Sequence, residues 1–172
     1  VLTFAGRSRS RAKNQSQPAV VDEVVQAVVA QFRPSLENQA MDLVLDLDAS
    51  QQVMLDVDAF EQMLGNLISN AEKYAAEGRH LRIRSRHQNE LTRIDVSDAG
   101  PGVPNQFAKH LFKPFERASD HIHAATGTGI GLSITRSLAR KHGGDLELVD
   151  SAIGATFRLT IRTPLCSEET SK

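Results

Sequence analysis

Residues 81–103 read LRIRSRHQNELTRIDVSDAGPGV and hold two alternating runs joined by a short polar link. Over 81–86 and again over 92–97 apolar residues alternate with polar ones, the period of a half-buried strand. The link between them is hairpin-short. A similar pair stands at 145–149 and 155–162, with its turn at Gly154. Parallel strands would need a crossover of about a dozen residues or more, so a doubly wound parallel sheet is disfavoured. Earlier in the chain, 41–48 (MDLVLDLD) alternates strictly and predicts a further strand, with a short one at 53–55 expected to pair with it. Val24, Val25, Val28, Val29 and Phe32 form the stripe of an amphipathic helix whose continuation Pro34 restricts. Phe60, Met63, Leu64, Leu67, Ile68 and Ala71 mark a second helix over 58–76, a short one is expected over 106–112, and a last helix over 130–142 stops at Gly143 and Gly144. Helices interleaved with hairpins predict an α+β, two-layer sandwich: one mixed, mostly antiparallel sheet with helices on one face and an open face that must be covered or charged.

The 172 residues suffice for one domain that buries roughly 70% of its extended-chain surface. With 20 basic against 21 acidic residues there is no positive excess to drive nonspecific nucleic-acid binding, so no nucleic-acid partner is expected. One cysteine, Cys166, cannot form an internal disulfide and points to a reducing compartment. No stretch approaches the ~20 apolar residues of a membrane span, and none reads as a secretory signal. Residues 1–17 begin with the apolar VLTFA, like a helix end, and pass into a polar linker with Arg7, Arg9, Arg11 and Lys13. Residues 18–165 form the globular unit, and 166–172 a polar tail.

Three places carry chemistry. Asn66, Asn70, Lys73 and Tyr74 recur at helical spacing beside the apolar stripe of the second helix. Asparagine is a poor helix former, so the group is either a solvated face or a site where carboxamide oxygens meet Mg²⁺ and Lys73 meets a phosphate. Asp98 closes a strand and opens Asp-Ala-Gly-Pro-Gly-Val, ending at Val103. That is good turn chemistry, but it also suits a carboxylate that accepts from an exocyclic amino group, with Gly100 and Gly102 passing close to a flat ring. Gly127-Thr128-Gly129-Ile130-Gly131-Leu132 runs directly into a helix, where backbone N–H groups and the helix dipole favour phosphate. No Gly-Lys-Ser/Thr follows, so it is not a P-loop.

In their order, and with Phe112-Lys-Pro-Phe115 between the second and third, these motifs resemble the N, G1, F and G2 boxes of the histidine-kinase-like ATP-binding domain, over about residues 18–163. The resemblance implies a Bergerat-type sandwich and the catalytic domain of a two-component sensor histidine kinase that uses ATP and Mg²⁺. It implies Asn70 as the Mg²⁺ ligand with Asn66 assisting, Lys73 on a phosphate, and Tyr74 beside the adenine. Asp98 would read the adenine amino group, with Gly100, Gly102 and Val103 lining the base. Gly127, Thr128, Gly129, Ile130, Gly131 and Leu132 would line the triphosphate; Phe112 and Phe115 would anchor a mobile lid over 117–126, from which Arg117 reaches the phosphates. Ala99 stands where the family often has Asn, and the lid holds His121 and His123, a pair without further metal ligands.

Gyrase-like and chaperone ATPases of this resemblance carry a Glu, the base for water, one turn before the metal-binding Asn. Here that position is Asn66, which cannot act as that base, so slow hydrolysis is expected. The acceptor expected from the family is a His followed by an acidic residue on a dimerisation hairpin. None of the six histidines here is followed by one. The chain is therefore expected to be a fragment of a longer cytoplasmic or membrane-attached homodimeric kinase that serves a response-regulator receiver domain. The alternatives are an ATP-gated switch without phosphotransfer and a gyrase- or chaperone-like ATPase.

Overall fold

The computed structural model describes residues 15–108, 110–113 and 130–166. Its elements are β1 (Gln17–Val20), α1 (Val21–Asn38), β2 (Asp42–Asp48), β3 (Gln52–Leu55), α2 (Val57–Tyr74), a 3₁₀ turn (Ala76–Gly78), β4 (His80–Gln88), β5 (Leu91–Asp98), α3 (Asn105–Ala108), α4 (Gly131–Lys141), β6 (Asp145–Val149) and β7 (Thr156–Arg162). Five strands form one sheet in the order β2-β4-β5-β7-β6. Only β2–β4 is parallel; β4–β5, β5–β7 and β7–β6 are antiparallel. The mixed, mostly antiparallel sheet expected from the two hairpins is therefore present.

Alternation assigns the two faces. Leu81, Ile83, Ile94, Val96, Leu159 and Ile161 are buried with Val25, Val29, Phe60, Leu64, Leu67 and Ile68 of α1 and α2 in one core. The open face carries charge instead. Asp46 of β2 bonds Arg84 at 2.9 Å and Arg86 at 3.0 Å, and Arg158 of β7 clamps Asp95 of β5 at 2.8 and 2.9 Å. The Arg86 guanidinium, with Arg84 beside it, holds the Asp46 carboxyl below the usual carboxylate range. These lateral pairs leave the face polar, with no covering layer among the described residues.

Three expectations need correction. The short strand at 53–55 does not pair with β2: β3 pairs with β1, register Gln17↔Leu55 to Val20↔Gln52, and Val53 bridges Leu165 on its other side. The reason lies in the link. The Asp48 N–H donates to Ser85 Oγ and the Ala49 N–H to the buried Asp22 carboxylate, so these groups bond to side chains instead of closing a hairpin, and the chain leaves the sheet. Beside the Val53–Leu165 bridge, the Cys166 N–H donates to the Gln52 carbonyl. Pro34 does not stop α1, which runs on to Asn38. Pro34 and Ala30 both lie on the exposed side, where water can serve the Ala30 carbonyl that loses its helical donor, and the next turn buries Leu36. The short helix, α3, covers only Asn105–Ala108.

Candidate functional site

Helix α2 is the spine of the site. Asp56 caps it by accepting the Ala59 N–H, and its apolar stripe turns into the core. That leaves Asn66 and Asn70 half-buried on the adjoining stripe, with Lys73 and Tyr74 exposed in the last turn, Tyr74 at 49%. From Asn66 to Ala75 the helix runs about 13 Å at 1.5 Å per residue. One end meets α4, the other the Asp98 turn.

At the Asp98 end, Oδ1 accepts the Gly100 N–H at 2.9 Å and the Ala155 N–H at 3.1 Å. The other carboxylate oxygen has no partner among the described residues. Burial pushes the Asp98 carboxyl up from its ordinary value, while the two backbone N–H bonds pull it down. Glycines pack this turn from several sides. A Cβ on Gly100 would lie 2.7 Å from the Cα of Ala75, where α2 ends; one on Gly78 would overlap the Ala99 carbonyl; one on Gly154 would overlap the Asp98 carbonyl. A single oxygen is thus presented, at the end of α2, to whatever donor approaches.

At the other end, α4 starts at Gly131 after Ile130, and no side chain caps it. The N–H groups of its first turn have no intrahelical carbonyl to bond, the arrangement that favours an anion. The Asn66 carboxamide reaches this turn: Nδ2 lies 3.1 Å from Thr135 Oγ1 and 3.4 Å from the Gly131 carbonyl. Asn66 Oδ1 and the Asn70 carboxamide have no hydrogen-bond partner among the described residues. Two carboxamide oxygens one turn apart fit a hard divalent cation such as Mg²⁺, which takes one or two protein oxygens beside phosphate. His142 ties the far ends of the two helices, its Nδ1 donating to the Leu138 carbonyl at 2.8 Å and its Nε2 lying 3.3 Å from the Asp56 carboxylate.

Phe112 and Val103 pack against the edge of the core, and Phe112 sits under the Arg136 guanidinium, 4.7 Å from Cζ to ring centroid. Asp145 of β6 clamps Arg136 through both carboxylate oxygens, at 2.8 and 3.0 Å, and also takes Arg140. That clamp holds the Asp145 carboxyl well below the usual range. Phe115, Arg117, Gly127, Thr128 and Gly129 lie outside the described residues, as do His121, His123 and residues 1–14.

The structure therefore brings Asn66, Gly131 and Leu132 together at the middle of α2, and Tyr74, Asp98, Gly100 and Gly102 towards its C-terminal end. Sequence reasoning missed Gly78, Gly154 and Ala155 around Asp98, and Thr135 and Arg136 on α4. Thr135 had one legible signal, its spacing of four from Gly131, which puts both on one helix face.

A family model described as histidine kinase-, DNA gyrase B- and HSP90-like ATPase matches residues 55–165. The aerobic respiration control sensor protein ArcB of Escherichia coli (strain K12) is 36% identical over 127 residues, covering 72% of this chain and 16% of ArcB. The histidine protein kinase DivJ of Caulobacter vibrioides is 31% identical over 144 residues, 83% of this chain and 24% of DivJ. The catalytic domain of the histidine kinase ThkA superposes with a TM-score of 0.76 at 25% identity, over 86% of this chain and 95% of that one. The chain spans 16–24% of the length of the two curated relatives.

Proposed function

The chain belongs to the histidine kinase-, DNA gyrase B- and HSP90-like ATPase family, and from that membership we propose that it is the catalytic domain of a protein-histidine kinase. It binds Mg-ATP and transfers the γ-phosphoryl group to a histidine on a dimerisation domain elsewhere in a longer homodimeric protein, for relay to an aspartate of a response-regulator receiver domain. The catalytic unit is 18–165, working on the cytoplasmic ATP pool. Among the described residues no helix is long and apolar enough to cross a membrane.

The observation that carries the transfer reading over hydrolysis is Asn66. A carboxamide whose nitrogen is engaged by α4 stands where a water-activating base would be needed, and a carboxamide cannot take a proton from water. Asp98 accepts the adenine amino group, Tyr74 lies beside the base, and the N–H groups at the start of α4 with Lys73 receive the phosphates. Asn70 and Asn66 would hold Mg²⁺, which supplies charge neutralisation on the phosphate oxygens when bound. In the transfer an acceptor imidazole nitrogen forms a bond to the γ-phosphorus as the bridging oxygen–phosphorus bond breaks. ADP leaves with the electron pair, and the imidazole releases its proton. Such a transfer asks for positioning and charge more than for a base.

Two measurements check this. Asn70→Ala should lower ATP affinity at saturating Mg²⁺ by about tenfold or more, one good ligand's worth, while Mg²⁺-free affinity and melting temperature stay near the parent values. Unchanged Mg²⁺-dependent affinity would place the metal elsewhere. Without an acceptor, phosphate release should stay far below the order of one per second usual for enzymes; sustained release at that rate would favour the ATPase reading.

A further inference from the structure

We propose that Thr135 is a positioning residue for the metal side of the site, holding the Asn66 carboxamide with its nitrogen towards α4 and its oxygen turned outward, where a cation can take it. The inference deepens the function proposed above and rests on it. Thr135 lies outside the motifs that identify the family and is fully buried, at 0% exposure. Its hydroxyl donates to the Gly131 carbonyl one turn back at 2.9 Å, which uses its only proton. Towards Asn66 it can then only accept. The Gly131 carbonyl, 3.4 Å from the same nitrogen, can also only accept. Both groups that face Asn66 across the α2–α4 contact are therefore acceptors, and only the NH₂ end of the carboxamide satisfies them. A flipped amide would set Oδ1 against two oxygens and turn two N–H groups towards the cation.

The same wiring makes position 66 selective for a carboxamide over a carboxylate. A carboxylate has no proton for either partner and would face the lone pairs of Thr135 and Gly131. Thr135 thereby ties three things together: the orientation of Asn66, the last glycine of the phosphate-binding run, and the distance between α2 and α4. Its side chain acts through Asn66 and needs no contact with nucleotide.

The experiment compares Thr135→Val, which keeps the shape and removes the hydroxyl, with Thr135→Ser, which keeps the hydroxyl. Nucleotide affinity is measured for each with Mg²⁺ and in chelator, and the side-chain amide protons of Asn66 are followed by NMR without nucleotide. Thr135→Val should weaken Mg²⁺-dependent ATP binding about five- to tenfold, the size of one lost neutral hydrogen bond, and leave binding in chelator within about twofold. The Asn66 amide protons should exchange faster in that variant. Thr135→Ser should restore both. Equal losses with and without Mg²⁺ would mean a packing role only, and unaltered amide exchange in Thr135→Val would mean the hydroxyl does not hold Asn66; either overturns the proposal. If the unaltered chain binds no ATP under either condition, the function itself fails, read separately from the variants, and the Thr135 role falls with it.

Discussion

Asp98→Asn should weaken ATP binding by one to two orders of magnitude while scarcely moving thermal stability. The Oδ1 of the substituted amide can keep accepting the Gly100 and Ala155 N–H groups, so the turn stays satisfied. The outward carboxylate oxygen, however, becomes an NH₂ that meets the adenine amino group donor to donor. A hydrogen bond to a charged group is worth about 1.5–3 kcal/mol, hence the predicted size. Guanine presents a carbonyl at the same edge, so the preference for ATP over GTP should narrow or reverse. Parallel titrations with the two nucleotides read this, and unchanged ATP affinity would remove Asp98 from the base site. Burial also gives the contact a pH signature. With its carboxyl raised above the ordinary 3.8, Asp98 takes up a proton earlier on acidification than an exposed aspartate would. Affinity for ATP should therefore begin to fall at a pH above that ordinary value. The stability contribution has the opposite sense, since a raised acid favours the folded state when protonated and loses that contribution as pH rises through its folded value.

Gly154→Ala should have the largest effect on the fold. Gly154 has φ +67°, and a Cβ there would overlap the Asp98 carbonyl and lie 2.7 Å from its Oδ1. Left-handed backbone strain and overpacking together cost about 2–5 kcal/mol, which in a domain of this size lowers the melting temperature by some 5–15 °C. The displacement falls on Asp98, the residue proposed to read the base, so ATP affinity should drop with stability. Asp98→Asn should separate the two. A Gly154→Ala protein that melts with the parent would show that this turn does not set the position of Asp98.

Much of the architecture was legible because hairpins and amphipathic stripes are local. Leu81, Ile83, Ile94 and Val96 alternate towards the helices whatever else the chain does. The partner of β3 was not legible, because it depends on where Ala49 finds an acceptor, and that acceptor is Asp22 on α1, far away in sequence. Pro34 was misread for a related reason. Local sterics argue for a stop, but the turn that buries Leu36 outweighs one lost helical bond on the wet side. The candidate site divides similarly. Asn66, Asn70, Asp98 and Gly131 announce themselves by residue type and spacing. Gly78 and Gly154 do not, because a glycine required by the approach of another segment looks like any turn glycine until that segment is in place. Thr135 shows itself only once α4 lies against α2.

The kinase reading depends on where the γ-phosphoryl group goes. The most direct test incubates this chain with Mg²⁺, γ-labelled ATP and the helix-hairpin dimerisation domain proposed to carry the acceptor histidine. The predicted result is label on one histidine of that hairpin, none on the six histidines of this chain, and little free phosphate. ATP binding with no label on the hairpin, or label traced to a histidine of this chain, would contradict it.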